Sequence, residues 1–240
     1  MVEPRRPGTP GELLGDLIRS VGAFVDRLAL DEAGSREPPR LDPSTVAGLG
    51  GRLTIRPPSP SDRRALERIY RDRDNQAAHG WSDGTVAELV RELRVPRVFE
   101  GLTRSALVGV RRDTFDVIGL ATLQAHRSHD DRLGLSIGLS TLPEHRGQGL
   151  AIELLAAMII ASRALVATAD DGEPFPLWVG TSTTNESVQR MMSSLGYQPD
   201  GPAVPHTTPA GITLDSYWYD VGHNAAPPQF TPRPSDDPLQ

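Results

Sequence analysis

The chain has 240 residues, a formal net charge of −6 and no cysteine. Without thiols there are no disulfides, no Cys-ligated zinc and no acyl-cysteine intermediate. The acidic balance speaks against a dedicated nucleic-acid binder, which carries a basic surface.

Residues 1–10 are polar and Pro-rich, and no apolar core of a secretory leader follows them. Of the 22 prolines, 14 lie before residue 61 or after residue 221, so both ends are poor candidates for core. This divides the chain into an N-terminal extension (1–51), a folded domain (52–222) and a disordered Pro-rich tail (223–240). Within the extension, apolar residues at 13, 14, 17, 18, 21, 24, 25 and 28 draw a helical stripe over residues 12–30. Its polar face mixes Glu12, Asp16, Arg19, Asp26 and Arg27, which favours packing on the domain or homodimer formation over a basic membrane-surface helix. Residues 32–50 read as a Pro- and Gly-rich linker.

The domain opens with an alternating strand at 53–56. Ser61-Asp62 is placed to cap a helix reaching about residue 71, and Ser82-Asp83-Gly84 precedes a second helix at 85–93. Residues 106–110 and 117–124 predict a hairpin around Arg111-Arg112-Asp113. A strand at 133–142 leads into a helix from 150 to about 169, whose apolar run is broken by Arg163 and is too short to span a bilayer. A short strand at 177–181 follows, then a helix at 188–195 closed by Gly196, a favoured C-cap residue. Two further strands begin near 198 and 212, the last carrying Tyr217-Trp218-Tyr219. The order is strand, two helices, three strands, helix, strand, helix, two strands. That is an α/β (α+β) domain, a mixed sheet with helices on both faces.

The chemistry lies in Arg146-Gly147-Gln148-Gly149-Leu150-Ala151, between a strand and a helix. Backbone N–H groups at a helix start lack carbonyl partners, and with the helix dipole they form a site for a phosphate or pyrophosphate. A nucleotide P-loop needs Lys and Ser or Thr after its second Gly, but Leu150-Ala151 stand there. The dinucleotide fingerprint needs a third Gly, where Ile152 stands. What remains is R-x-x-G-x-A leading into an apolar helix.

That turn resembles the acyl-CoA-binding loop of the GNAT superfamily of N-acyltransferases. Pro143-Glu144-His145 before it, and the later block of strand, Asn185, helix and Gly196-Tyr197, resemble the same family in order and separation. Gly149-Leu150-Ala151-Ile152-Glu153 and Arg190-Met191-Met192 are similar to the branch named for N-terminal acetylation of ribosomal proteins, although Val188 replaces that branch's usual Ser. The resemblance implies an acetyl-CoA co-substrate and a primary-amine acceptor, either a small molecule or a protein N-terminus. It implies a cytoplasmic setting and neither nucleic acid nor membrane as partner. Leu139, Ser140 and Thr141 would offer a strand edge to the pantetheine arm, and the N–H groups of Gly147, Gln148, Gly149, Leu150, Ala151 and Ile152 would hold the pyrophosphate. Arg146 would either add charge to that site or pair with a carboxylate. Asn185 would bind near the pantetheine, cap its helix, or do both, and Glu153 reads as structural.

The acid and base are not carried over. Met192 stands where many members place a Tyr, and Ser136 where many place a Glu. Ser136 and His126 are therefore the catalytic candidates left by the sequence. His126, His129, Asp130 and Asp131 cluster between two strands, but a solvated turn explains them better than a metal site. Trp81 is placed to line an acceptor pocket or simply to pack. The competing reading is a non-catalytic CoA-binding or interaction module. A third makes the helix at 12–30 the dock of a protein-modifying enzyme.

Overall fold

A computed structural model describes residues 51–222, apart from 96–97, 100–101, 103–104, 128–132, 168–175 and 209–211. The helix expected at 12–30, the linker and the tail from 223 lie outside the described residues, as do His129, Asp130 and Asp131.

Seven strands form one sheet. They are β1 (Leu53–Arg56), β2 (Ala106–Arg111), β3 (Val117–Arg127), β4 (Leu133–Thr141), β5 (Leu177–Ser182), β6 (Val204–Thr207) and β7 (Thr213–Asp220), in the order β1-β2-β3-β4-β5-β7-β6. Every neighbouring pair is antiparallel except β4 and β5, which the crossover helix makes parallel. The helices are α1 (Arg63–Arg71), α2 (Arg73–His79), α3 (Asp83–Glu92), α4 (Leu150–Ala167) and α5 (Glu186–Ser194).

Strand alternation sends successive side chains to opposite faces, and each face builds a core. On one, Leu123, Leu135, Ile137, Leu177, Val179 and Tyr219 pack against Leu154, Leu155 and Met158 of α4 and Met191 and Met192 of α5. On the other, Val108, Val110 and Leu120 pack against Leu66, Ile69 and Tyr70 of α1 and Val86 and Val90 of α3. The helix α4 is apolar on nearly all sides because it crosses under the sheet, where each buried Leu contributes about 1.5–3 kcal/mol. Among the described residues no helix is long and apolar enough to cross a membrane.

The expected strands all form, most within a residue or two of their predicted ends. The fold departs from expectation in two elements, the first being β6, expected from near residue 198 but beginning at Val204. The second is α2, a helix added between the two expected between β1 and β2, where a 3-10 turn at Pro60–Asp62 and helical residues at 98–99, 102 and 105 also occur. Its sequence, Arg-Asp-Asn-Gln-Ala-Ala-His, has no apolar stripe, and its buried side chains are Asn75 and Gln76. Hydrophobic periodicity cannot find such a helix. Its termini do carry signals. Asp72 Oδ1 accepts from Asn75 N at 3.0 Å, and Gly80 closes the helix at φ 60°.

Two glycines make room for tryptophan. The ring of Trp178 on β5 lies across Gly134 of β4, and the ring of Trp218 on β7 lies across Gly180 of β5, where an added Cβ would come within 2.6 Å of it. Because Leu177 and Val179 face α4, Trp178 and Gly180 face the opposite side of the sheet.

Candidate active site

The site is built by a ladder that stops early. β4 and β5 pair only at Leu135–Leu177, Ser136–Trp178 and Ile137–Val179. Beyond Ile137 the two strands part, although β4 keeps β3 to Thr141 and β5 keeps β7 to Ser182. An inner edge of backbone polar groups thus opens within the sheet. Such groups are costly when unpaired, so their partners matter.

On β4 those partners come from α2 and the loop. Leu139 O accepts from Nε2 of His79 at 3.2 Å, and Thr141 O accepts from Nδ2 of Asn75 at 3.1 Å and from Nη2 of Arg146 at 3.0 Å. In an antiparallel pair the N–H and C=O of one residue share a side, so the N–H groups of Leu139 and Thr141 face the same opening. On β5 the chain end is tied by its own helix. Ser182 O accepts from Asn185 N at 3.0 Å and from Gln189 Nε2 at 3.2 Å. Asn185 caps α5, its Oδ1 accepting from Val188 N at 3.3 Å.

The glycine loop lies where β4 passes into α4. Gly147 and Gly149 have φ of 74° and 72°, a left-handed backbone that a Cβ strains. A Cβ on Gly147 would meet nothing within 4 Å, so the loop is open on that side. Leu150 is buried in the core, and Ala151 and Ile152 pack against it, so the side chains anchor the helix start while its N–H groups point outward. The loop is braced by Gln148, whose Nε2 donates to Glu144 O at 2.7 Å.

Three arginines surround this loop. Arg52 donates from Nη1 to Gln148 O at 2.8 Å and from Nε to Glu153 Oε1 at 2.7 Å, which leaves the buried Glu153 carboxylate paired. Glu153 is thus structural. Arg111 reaches Gln148 Oε1 at 3.3 Å and also pairs with Asp113. Arg146 forms ion pairs with Asp72 and, at 2.6 Å, with Asp74, and also donates to Asn75 Oδ1 at 3.3 Å. Its guanidinium therefore locks α2 to the end of β4, the carboxylate-pairing alternative of the sequence reading. Arg52 and Asp72 were invisible as site residues: the first reads as a domain boundary, and nothing in the sequence singles out the second.

The catalytic candidates separate. Ser136 lies in the closed part of the ladder, opposite Trp178. His126 pairs with Gly134, five residues before Leu139, about 16 Å along the strand. There it stacks on Trp218 at 4.1 Å and meets Trp178 and His206 edge-on. Burial, helped by the neighbouring His206, lowers its pKa to about 4. The unfolded ring titrates near its ordinary 6.5, so between pH 6.5 and 4 the unfolded state binds the extra proton. His126 thus stabilises the fold above pH 6.5, and that contribution is lost as pH falls toward 4. Melting temperatures measured from pH 7 to 4 should drop less steeply for His126→Phe, which keeps the stacked ring, than for the wild type; parallel curves would refute this assignment. Met192 is fully buried in the core. Trp81 stacks on His79 at 4.4 Å and meets Tyr70 edge-on. No metal-binding cluster occurs among the described residues.

A mixed sheet opened between its two parallel strands, with a glycine loop at the start of the crossover helix, defines the acyl-CoA N-acyltransferase fold. The family model described as "Acetyltransferase (GNAT) domain" matches residues 52–198, and the chain belongs to that family. Its structure is similar to an acetyltransferase of Salmonella typhimurium solved with its cofactor acetyl-CoA (25% identity, 74% of this chain and 98% of that one, TM-score 0.53). It is similar in fold to the spermidine N-acetyltransferase of Vibrio cholerae solved with CoA and spermine (18% identity, 71% and 95%, TM-score 0.51). A further fold neighbour, of the same organism, is described as a ribosomal-protein-serine acetyltransferase (18% identity, 71% and 93%, TM-score 0.51). No curated protein matches the chain.

Proposed function

We propose that this protein transfers an acyl group, acetyl in the simplest case, from acyl-CoA to a primary amine by direct attack on the thioester. The observation that carries the reading is the opening of the β4–β5 ladder directly before the glycine loop. An amide-bearing pantetheine arm can pair with the N–H groups of Leu139 and Thr141 as an added strand does. The outward N–H groups at residues 147–152, with the cationic Arg52 beside them, suit a pyrophosphate. Membership of an acetyltransferase family makes acetyl-CoA the fitting co-substrate. Within the opening, a strand N–H polarises the thioester carbonyl, and holding the two reactants together supplies much of the acceleration. Asn185 is proposed to contact the pantetheine in addition to capping α5.

The acceptor is an amine, a small molecule or a protein N-terminus, and the setting is cytoplasmic. The Gly149-x-Ala151-x-Glu153 pattern supports the branch named for ribosomal-protein acetylation. A second reading, a CoA-binding module without turnover, draws on Met192 and Ser136 standing at the family's usual catalytic positions. One experiment separates the two. Acetyl-CoA is titrated by calorimetry, then incubated with spermine, short peptides and small primary amines, with thiol release and product mass recorded. Binding with acylated product supports the transferase, and binding without thiol release supports the module. Absence of binding overturns both.

A further inference from the structure

We infer that His79 is the general base of this site, a role that rests on the transferase reading above. The ring lies at the point where β4 and β5 part. Its Nε2 contacts Leu139 O at 3.2 Å and Ser140 Oγ at 2.8 Å. A carbonyl oxygen can only accept, so Nε2 carries the proton. In the neutral ring that leaves Nδ1 as a lone-pair acceptor. Nδ1 has no hydrogen-bond partner among the described residues, and it is not among their buried unpartnered atoms, so it is open to solvent or ligand. One nitrogen fixed by a backbone carbonyl, the other unbonded and accessible, is the arrangement a histidine base requires.

The surroundings hold the ring in place and keep it neutral. Trp81 stacks on one side of it at an interplanar angle of 11°. Burial lowers its pKa, partly opposed by the bond to Leu139 O. The charged groups near it are already engaged. On its own helix, Asp72 and Asp74 are paired with Arg146, and Arg73 with Asp83. From α1 comes Tyr70, raised to about 12 by burial and then by Glu92, and therefore neutral. β4 has no titratable residue between Leu133 and Thr141, and from β3 come Thr122 and Gln124.

The missing side chain of Gly138 lets its polar neighbours close in on the strand. A Cβ there would lie 2.9 Å from Thr122 Oγ1, 3.7 Å from His79 Cε1 and 3.8 Å from Gln124 Nε2. Three polar side chains thus converge over Gly138, next to the residue whose N–H faces the opening. In the step itself the amine nitrogen bonds to the thioester carbonyl carbon. The C–S bond breaks, its electron pair leaving on sulfur. The proton shed by the amine passes to Nδ1 of His79, and from there through solvent to the thiolate. Amide and free CoA thiol result, and the ring returns neutral.

The test is His79→Gln, whose amide N–H can still donate to Leu139 O while offering no base. Thiol release from acetyl-CoA is measured with glycinamide and with water as acceptors, from pH 5 to 9, alongside the calorimetric affinity for CoA. The expected result is a fall in kcat of about 10²-fold with CoA affinity unchanged, loss of the acid-side limb of the pH profile, and partial rescue by added imidazole. A direct readout on the wild type is the NMR titration of the His79 ring, expected to protonate below the ordinary histidine value. Undiminished kcat, or an intact acid limb in His79→Gln, overturns the inference while the transferase reading stands. A ring already protonated at pH 7 overturns it even if the variant does not fold. Failure of the wild type to bind CoA or to release thiol overturns both readings together.

Discussion

Gly149→Val is expected to weaken CoA binding by about 10³-fold while the domain stays folded. The backbone at this position has a φ of 72°, and a β-branched residue there is a steric outlier. The chain must therefore rotate out of that conformation or store about 1–3 kcal/mol of strain. Either way, the N–H groups at the helix start turn away from their common focus. A hydrogen bond to a charged group contributes about 1.5–3 kcal/mol, so losing two costs roughly 4 kcal/mol, or three orders of magnitude. The added Cβ itself would only reach van der Waals contact with Arg52 Nη2 at 3.4 Å, so the effect comes from the backbone and not from a clash. Global stability should fall by no more than that strain, because residues 147–149 are exposed and carry no core side chain. Calorimetry with CoA and a thermal melt check the two halves separately. An affinity within fivefold of wild type would remove the loop from the binding site.

Arg146→Ala is expected to cost stability before it costs affinity. The substitution leaves Asp72 without its counterion and takes one donor from Thr141 O. Breaking a buried pair by removing one partner costs about 3–5 kcal/mol. Arg146 is partly exposed and Asp74 largely so, which reduces the expected loss to about 3 kcal/mol. For a domain of this size that is a fall in Tm of about 6–12 °C. A double-mutant cycle with Asp72→Asn should return a coupling above ~1 kcal/mol. If Arg146 instead served mainly as a phosphate ligand, the variant would melt normally and lose CoA affinity, and the ion-pair account would fail.

The elements that were legible share one property: their own residues state their environment. The apolar run of α4, the alternation of β1 and the turn signals around Arg146–Ala151 are local, and each formed where its pattern placed it. Asn185 likewise announced its cap by residue type. What stayed hidden depends on residues far apart in sequence. α2 buries Asn75 and Gln76, which satisfy Ile69 O, Thr141 O and Tyr70 O, so its fit is polar and tertiary. His79 gave no signal, because its meaning comes from Leu139 and Ser140, some sixty residues away. His126 and its neighbours drew notice as a cluster of titratable types, yet the described part of that cluster is a stack of neutral rings. Chemical type nominated it, and packing reassigned it.

The parted strands also carry a hazard. A row of bare peptide groups inside a sheet is a template on which a stray extended segment, from this molecule or another, can dock. Here the carbonyls of Leu139 and Thr141 are already occupied by His79, Asn75 and Arg146, and only the donors between them stay available. A slot half filled in this way accepts a short ligand bringing carbonyl oxygens and turns away a full β-strand, which must both give and receive. The side chains that shape the site would thereby also guard the empty protein against aggregation.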